Sequence, residues 1–448
     1  MNDVGRQPAS TQTELDAIRA LTRSSNYFYE QVRMLSNHIG PRLSGSPQAA
    51  AAVAYVRRQM QSLGLNARLE PVTVRHWTRG REEACLVSYP GQADGTEQRV
   101  VVTALGNTVG TPPEGITARV KVVSTFEELD RLSAAEVAGT IVLFNHALDR
   151  YAARAGRWEQ AYKAAVRYRS DGPSRAALKG ARAALVRSIG SSASRVAHTG
   201  LTTFASGAPE IPAGAVTAED AELIAYLATR DAVTIRLVLT PQDLPAVQSY
   251  NVVADLPGSN FPEQVIIVSG HLDSWDLGTG ALDDAAGVGV AMDVLRTIQM
   301  VNPCPRRTIR FVAWMNEENG VAGGRAYAED HKDELRNHAA AVELDYGDGR
   351  PLGLKVHGSK ERLAPIAGIL SAIAEPIGGL ITVDDSPAVD IGPLNKAGVP
   401  CIAPLQDARE YFNYHHTAAD TFDKVRPDEL RRTLEVIASL VYALAQRE

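Results

Sequence analysis

The sequence has few cysteines, lacks long apolar runs and carries no excess of basic charge. Its three cysteines (Cys85, Cys304 and Cys401) lie far apart and form no C-x-x-C pair, which excludes a zinc cluster held by thiolates. No segment reaches the roughly 20 consecutive apolar residues of a transmembrane helix. The net charge of -6 argues against nucleic acid or an anionic membrane surface as a partner.

The N-terminal segment Met1–Gln12 (MNDVGRQPASTQ) lacks the apolar core of a signal peptide. This is compatible with a cytoplasmic protein, and equally with a secreted or periplasmic protein whose leader has been removed. The cysteines imply no disulfide framework, but they do not exclude an oxidising compartment. With 448 residues, of which 45% are hydrophobic, the chain has the size of two or three globular domains.

The two ends of the chain have the pattern of an α/β domain. Val265–Val268 is a continuous apolar run, typical of a strand buried on both faces of a parallel sheet, and Ala285–Met300 has the apolar spacing of a helix. Similar strand–helix units follow, so we predict a mostly parallel, mixed sheet between layers of helices. The other strands predicted after residue 251 are Thr308–Met315, Ala339–Leu344 and Pro400–Leu405, and the other helices predicted in the two ends are Glu14–Ile39, Ser46–Gly64, Gly323–Glu329, Glu361–Ile373 and Pro427–Arg447.

The middle of the chain has a different, self-contained α+β pattern. It contains predicted strands at Gly139–Phe144 and Thr234–Leu239 and an alanine- and arginine-rich helical region at Tyr151–Ser188. We therefore predict a discontinuous main domain, residues 1–110 and 245–448, into which a small domain of residues 111–244 is inserted. The arginines of the helical region are interpreted as a solvated helix face, because acidic residues elsewhere balance them.

Side chains that bind metals or exchange protons follow three predicted strands and occur again in a later loop. They are His271, Asp273 and Asp283 after the first strand, Glu317 and Glu318 after the second, Asp345 after the third, and His415, His416 and Asp420 in the loop EYFNYHHTAADT. Because the carboxyl ends of neighbouring parallel strands lie on one edge of a sheet, we expect these groups to meet. Each alone has an ordinary structural explanation, such as helix capping, but their joint occurrence favours a functional site.

The mixture of these groups indicates a metal centre. Carboxylates that lie close together repel one another and become protonated unless a cation neutralises them. Imidazoles mixed with carboxylates suit Zn²⁺, whereas Mg²⁺ or Ca²⁺ would require mostly oxygen ligands. Five such ligands can hold two ions if one carboxylate bridges them, which leaves each ion an open position for water.

Several segments together resemble a known family, the co-catalytic dizinc aminopeptidases, and within it the metallopeptidases of the carboxypeptidase Q (plasma glutamate carboxypeptidase) group. They are SGHLDSWDLGTGALDD, WMNEENGVAGG, VELDYG, YFNYHHTAADT and the N-terminal IGPRLSGSPQA. In the middle of the chain, LVRSIGSSASRVAHTG and PEIPAGAVTAEDAE resemble the protease-associated insert of that group. The resemblance covers nearly the whole chain, and it implies the zinc-exopeptidase fold (phosphorylase/hydrolase-like) with an inserted protease-associated-type domain.

The resemblance implies two zinc ions per chain that share one carboxylate. The residues that match the family's ligands are His271, Asp283 and Asp345 for one ion, and Asp283, Glu318 and His416 for the other. Glu317 would be the general base. Asp273 would orient His271 through its carboxylate, and Asp420 would support His416 or its loop.

The implied activity is that of an exopeptidase, namely an aminopeptidase or dipeptidase, that hydrolyses dipeptides or short peptides with a metal-bridged water and Glu317 as the base. The donor to the oxyanion stays open among Tyr411, Tyr414 and His415. The resemblance also implies a cis peptide bond between Asp283 and Asp284, a homodimer, and a secreted, periplasmic or lysosomal location. The segment SPAVDIGPL departs from the family in detail, so the substrate preference is not predicted.

Two other classes of protein share this scaffold. One is a receptor or binding ectodomain that has lost its metal site, as in the transferrin receptor, and the complete ligand set with Glu317 argues against it. The other is a single-zinc acyltransferase similar to glutaminyl cyclase, and the presence of both Glu318 and His416 argues against that class.

Overall fold

The computed structural model describes residues 9–190, 194–383 and 388–448. Parts of three segments discussed above lie outside the described residues: 1–8 at the N-terminus, 191–193 of LVRSIGSSASRVAHTG and 386–387 of SPAVDIGPL. The chain forms two compact units. The first unit comprises Met1–Val74, Ala246–Tyr411 and Asp420–Glu448, and the second unit comprises Arg75–Pro245 and Phe412–Ala419. The domain boundaries predicted from the sequence stay a prediction.

The described residues form strands and helices throughout both units. The strands are β1 (Asn66–Thr78), β2 (Glu82–Ser88), β3 (Gln98–Val100), β4 (Val102–Ala104), β5 (Ile116–Val123), β6 (Ile141–Phe144), β7 (Ala183–Arg187), β8 (Ala213–Val216), β9 (Thr234–Leu239), β10 (Gln242–Leu256), β11 (Phe261–His271), β12 (Arg307–Trp314), β13 (His338–Glu343), β14 (Pro351–His357), β15 (Leu380–Val383) and β16 (Cys401–Gln406). The α-helices are α1 (Ala9–Ser24), α2 (Tyr27–Arg33), α3 (Pro47–Ser62), α4 (Phe126–Arg131), α5 (Ala134–Val137), α6 (Arg150–Arg154), α7 (Trp158–Ser170), α8 (Gly172–Leu178), α9 (Ala218–Ala228), α10 (Ala286–Val301), α11 (Ala322–Asp330), α12 (Lys360–Leu363), α13 (Ala367–Ala374), α14 (Gly392–Lys396), α15 (Tyr411–Tyr414) and α16 (Pro427–Gln446). Shorter π-helical or 3₁₀ turns cover Met34–Ile39, Ala281–Ala285, Leu335–Asn337, Ala364–Ile366, Glu375–Ile377 and Phe422–Lys424.

The first sheet has eight strands in the order β1-β10-β12-β11-β13-β16-β14-β15. Its centre is parallel, since β11 pairs in parallel with both β12 and β13, and β13 pairs in parallel with β16. Towards its edges it becomes mixed, because β10 is antiparallel to β12 and β14 is antiparallel to β16. The predicted fold class, a mostly parallel but mixed sheet with helices, is confirmed.

The central strand β11 is buried on both faces, as its continuous apolar run predicts. Val265 and Ile267 pack into one cluster with Trp314, Tyr327 and other residues of that face. The alternate residues of the strand point the other way and are also fully buried. On the helical side, α10 and α16 contact β11, and α1 contacts both helices. Because β11 is buried on both faces, the position of its C-terminal end, which carries the predicted site, is fixed.

The second unit contains another eight-stranded sheet, in the order β3-β2-β9-β5-β6-β7-β8-β4. Its core includes Phe126, Phe144 and Tyr168, whose aromatic rings contact one another. Among the described residues of the whole chain, no helix is both long and apolar enough to cross a membrane.

Three of the predicted helices differ from the structure. The helix predicted over Glu361–Ile373 is divided by the 3₁₀ turn at Ala364–Ile366. The helix predicted over Glu14–Ile39 is interrupted after Ser24, where the hydroxyl of Ser25 donates a hydrogen bond to Asp293 (2.5 Å). The helical region predicted over Tyr151–Ser188 is wrong at its end, because Ala183–Arg187 is strand β7, paired in parallel with β6 and β8. The alanines there favour a helix, but the pairing between two buried strands overrides this local preference.

Candidate metal centre

The C-terminal ends of three parallel strands carry the predicted groups of the first unit. The strand β11 ends at His271, which is in register with Trp314, the last residue of β12. Glu317 follows that tryptophan by three residues. The third strand, β13, is paired with β11 so that Glu343 lies opposite Ser269, and Asp345 follows two residues later. The predicted convergence at one edge of the sheet therefore comes directly from the strand register.

One imidazole and two carboxylates come together at this edge. His271 Nε2 lies 3.0 Å from Asp283 Oδ1 and 3.3 Å from Asp345 Oδ1. One ligand atom from each of the three residues lies within 4.8 Å of those of the other two. This is the group that the family resemblance implies for the first zinc ion, and a nitrogen with carboxylate oxygens is a donor set that suits Zn²⁺.

The protonation of His271 depends on these carboxylates. Burial alone would lower its pKa, but the hydrogen bonds with Asp283 and Asp345 raise the pKa well above its usual value. A proton and a metal ion therefore compete for this nitrogen. The other ring nitrogen, Nδ1, lies 3.1 Å from the backbone carbonyl oxygen of Asp273. That contact makes Nδ1 the donor and directs Nε2 towards the carboxylates.

Asp273 acts differently from the prediction. We expected its carboxylate to orient His271, whereas the structure uses its backbone carbonyl for that contact. The carboxylate instead accepts hydrogen bonds from the backbone amides of Asn316 (2.7 Å) and Glu317 (3.1 Å) and from the hydroxyl of Ser44 (2.9 Å). His271 and Asp273 are only two residues apart, so the backbone carbonyl of Asp273 can reach the imidazole. The carboxylate of Asp273 meanwhile extends to the residues that follow β12.

The two adjacent glutamates have different surroundings. Glu318 is buried and accepts a hydrogen bond from the backbone amide of Trp275 (3.2 Å). Glu317 has its backbone held by Asp273. Burial, together with nearby carboxylates such as Asp345, raises the pKa of Glu317 well above its ordinary value. Side chains of neighbouring residues thus face different groups.

The carboxylate of Asp284 makes important contacts that were not predicted from the sequence. Its carboxylate accepts hydrogen bonds from the backbone amides of His271 (3.0 Å) and Gly287 (2.9 Å). A Cβ atom added at Gly270 or at Gly287 would lie 2.6 or 2.4 Å from this carboxylate, so both glycines make room for it. The glycines in SGH and AAGVG were the available signal. The peptide bond between Asp283 and Asp284 is cis, which confirms that prediction.

Asp420 and Arg42 lie behind the loop that carries Asp283. Asp420 accepts hydrogen bonds from the backbone amides of Ala281, Leu282 and Asp283, so it holds this loop. Its support of His416 or the loop of His416 stays a prediction. Burial, with a contribution from Asp283, raises the pKa of Asp420 to about 7. Arg42, in the N-terminal segment IGPRLSGSPQA, is fully buried.

Tyr411 belongs to the first unit and the other two candidate oxyanion donors belong to the second. Burial, with nearby carboxylates such as Asp283, raises the pKa of Tyr411 well above its usual value. In the second unit, the rings of His415 and His416 stack with centroids 3.6 Å apart. His416 Nδ1 lies 3.3 Å from the carbonyl oxygen of Thr199. Tyr414 accepts a hydrogen bond at its backbone carbonyl from the Thr417 hydroxyl (2.7 Å).

Comparison with solved structures defines the class of fold. The crystal structure of a peptidase M28 precursor from Shewanella amazonensis SB2B is 34% identical, with a TM-score of 0.90, and the match covers 97% of this chain and 96% of that one. A zinc aminopeptidase from Bacillus subtilis has a TM-score of 0.65 at 20% identity, over 93% of this chain and 94% of that one. The fold is that of the zinc exopeptidases.

Comparison of sequences then defines the family. The model of peptidase family M28 matches residues 251–441. Carboxypeptidase Q from Bos taurus is 35% identical over 428 residues, which cover 95% of this chain and 87% of the bovine chain. Carboxypeptidase Q from Homo sapiens is similar to the same extent. The chain therefore belongs to peptidase family M28, and the resemblance to carboxypeptidase Q predicted from the motifs is confirmed.

Proposed function

We propose that this protein is a zinc-dependent exopeptidase that hydrolyses dipeptides or short peptides. The observation that supports this most is the meeting of His271 with Asp283 and Asp345 at the C-terminal edge of a parallel sheet, in a chain 35% identical to a carboxypeptidase Q.

We assign two zinc ions to each chain. His271, Asp283 and Asp345 would hold the first, which their mutual distances support. Asp283, Glu318 and His416 would hold the second, and here the support is the match to the family motifs. Bound zinc supplies a Lewis acid that polarises a peptide carbonyl and lowers the pKa of a water molecule.

Side chains of the protein would move the proton of the attacking water and would donate a hydrogen bond to the oxyanion that develops. Glu317 would accept a proton from the attacking water and deliver it to the leaving amine, which requires a carboxylate in a fixed position. Its backbone amide is fixed by Asp273 at 3.1 Å. Tyr411 retains its phenolic proton because burial raises its pKa, so its hydroxyl can donate a hydrogen bond to an oxyanion. Tyr414 and His415 stay as the other candidates for this donor.

The remaining assignments rest on the resemblance of the sequence. Residues 111–244 would be a protease-associated-like domain, inserted in a peptidase domain formed by residues 1–110 and 245–448. A homodimer and a location outside the cytoplasm are likewise assignments from the resemblance.

The proposal is tested by comparing peptides with free and blocked ends. The purified protein is freed of metal with a chelator, zinc is added back, and hydrolysis of a free dipeptide is compared with that of a longer peptide blocked at both ends. We expect hydrolysis of the dipeptide only after zinc is restored, and none of the blocked peptide. Also assaying the N-acetylated and the C-amidated dipeptide shows which free end is required.

Three results would contradict the proposal. Cleavage of the doubly blocked peptide would indicate an endopeptidase, and absence of hydrolysis in the presence of bound zinc would indicate a binding protein. Cyclisation of an N-terminal glutamine without peptide hydrolysis would favour the acyltransferase class.

A further inference from the structure

Arg42 is a fully buried cation whose donors bind backbone carbonyl groups. The guanidinium donates to five carbonyl oxygens: Leu272 (2.8 Å), Leu35 (3.2 Å), Gly40 (3.1 Å), Thr279 (2.8 Å) and Gly280 (2.8 Å). Burial lowers the pKa of Arg42 to about 10, although the surrounding aspartates, led by Asp420, oppose this effect. A planar group with donors in several directions can make all of these contacts, whereas the ammonium of lysine has three donors at one point.

Asp420 binds the same loop through the opposite backbone groups. Its Oδ1 accepts from the amides of Ala281 (3.1 Å) and Leu282 (2.7 Å), and its Oδ2 accepts from the amide of Asp283 (3.2 Å). Within residues 279–283, the carbonyls of the first two residues therefore face a buried guanidinium, and the amides of the last three face a buried carboxylate. Asp420 contacts the amide of Asp283 itself, and Arg42 contacts the carbonyls of Thr279 and Gly280 earlier in the same loop.

The backbone conformation at Gly280 allows the carbonyls of this loop to face Arg42 while the amides face Asp420. Gly280 has a left-handed conformation (φ 58°, ψ 47°), which turns the chain between the carbonyls bound by Arg42 and the amides bound by Asp420. A Cβ atom at this position would lie 2.3 Å from Ser274 Cβ and 2.9 Å from Arg42 Nη2. A glycine is thus required both by the conformation and by the close approach of the guanidinium.

We infer that Arg42 and Asp420 are a pair of positioning residues that hold the Asp283 carboxylate, and through Leu272 the end of β11, in the geometry needed to bind metal. This inference rests on the proposed function, because that proposal makes Asp283 a ligand of both ions. Arg42 also fixes the residue next to His271, so a single buried cation restrains the backbone beside two proposed ligands. Neither Arg42 nor Asp420 is assigned contact with a substrate or with the reacting atoms.

The test compares R42K and D420N with a matched control, R310K. Arg310 is also a buried arginine of the first unit, and it hydrogen-bonds to Asp255 (2.7 and 3.0 Å) and to the hydroxyl of Tyr327 (2.8 Å). Zn²⁺ affinity is measured by competition with a chelator, the absorption spectrum of the Co²⁺-loaded protein reports the ligand geometry, and thermal unfolding of the metal-free protein reports stability alone.

We expect R42K and D420N to weaken Zn²⁺ binding by about 10- to 100-fold, the usual effect of losing a group that orients a ligand, and to alter the Co²⁺ spectrum. R310K should lower the unfolding temperature while its metal affinity and spectrum stay those of the wild type. The inference is overturned if R42K and D420N keep wild-type affinity and spectrum, or if R310K changes them equally. If the wild type itself binds no Zn²⁺ or Co²⁺, the proposed function fails instead.

A measurement on the wild type keeps the inference testable if the variants do not fold. The hydrogen bonds from Ala281, Leu282 and Asp283 to Asp420 join groups of the protein itself, and none of the three donors is a side chain that would bind metal. Hydrogen exchange at these three amides should therefore be slow in the metal-free protein and change little when Zn²⁺ is added. Fast exchange that becomes slow only with Zn²⁺ would show that the metal, and not this pair, organises the loop.

Discussion

At the scale of single residues, Glu317 and Glu318 are neighbours with different proposed functions. Glu318 is a proposed ligand, and Glu317 is the proposed base. Replacing Glu317 with Gln removes the proton acceptor but keeps the size of the side chain. General bases typically contribute about 10²- to 10⁴-fold, so kcat should fall by about that factor while zinc content stays unchanged.

The matched variant is Glu318→Ala, which removes a ligand and should lower the occupancy of one zinc site. Part of its lost activity should return at high zinc concentration. Both variants are assayed for bound zinc and for dipeptide hydrolysis at low and saturating zinc. Loss of a zinc ion from the Glu317 variant, or retention of both by the Glu318 variant, would show that the two functions are assigned wrongly.

The meeting of the candidate ligands could be predicted from the sequence, whereas the contacts that hold them could not. His271, Asp283 and Asp345 could be grouped because each follows a buried strand or its loop, and parallel strands end on one edge. The contacts of Arg42 and the carbonyl of Asp273 could not be predicted in this way. Any residue type offers a backbone carbonyl, so such a contact leaves no mark in the residue pattern.

At the scale of secondary-structure elements, continuous apolar runs predicted the buried strands β11 and β12 well, whereas two strands at one edge of the first sheet were missed. The strands β11 and β12 are buried along their apolar residues. The edge strand β15 and its neighbour β14 were not predicted: β15 is largely exposed, and β14 (PLGLKVH) contains a proline, a glycine and a lysine. The pairing of β14 with β16 depends on long-range contacts, which a local sequence pattern does not contain.

A half-buried ion pair connects β1 to the residue that follows α11. His331 Nε2 lies 3.2 Å from Glu70 Oε1, and Nδ1 lies 3.2 Å from Glu334 Oε2. Burial and Arg310 lower the pKa of His331, but the two carboxylates outweigh them and raise it. The folded protein therefore binds this proton more tightly than the unfolded chain. The stabilisation is fully present below the ordinary histidine pKa of about 6.5 and is lost as the pH rises through the raised value.

We expect His331→Gln to reduce the free energy of unfolding by about 1 kcal/mol more at pH 5 than at pH 9. Denaturant unfolding of the wild type and the variant at both pH values measures this difference. Glu334→Gln serves as the control for the weaker, more exposed partner of His331. Its effect on the free energy of unfolding should differ less between pH 5 and pH 9, with the same sign. An equal effect at both pH values, or a larger one at pH 9, would contradict the stabilising protonation of His331.

At the scale of the whole molecule, three separate stretches of chain form the first unit, and each supplies residues at or next to the clustered ligands. Met1–Val74 supplies Arg42, Ala246–Tyr411 supplies the three clustered ligands, and Asp420–Glu448 supplies Asp420. The sequence predicts a discontinuous main domain from a change of pattern near the middle of the chain, and the predicted boundaries stay a prediction. The match to carboxypeptidase Q covers 95% of the chain.

In the proposed function, the protein hydrolyses peptides with two zinc ions per chain. The most direct test is to titrate Zn²⁺ into the metal-free protein while measuring bound zinc by elemental analysis and the turnover of one free dipeptide. We predict that bound zinc saturates at two ions per chain and that turnover reaches its maximum only as the second site fills. Saturation at one ion with full turnover, or turnover by the metal-free protein, would contradict the account.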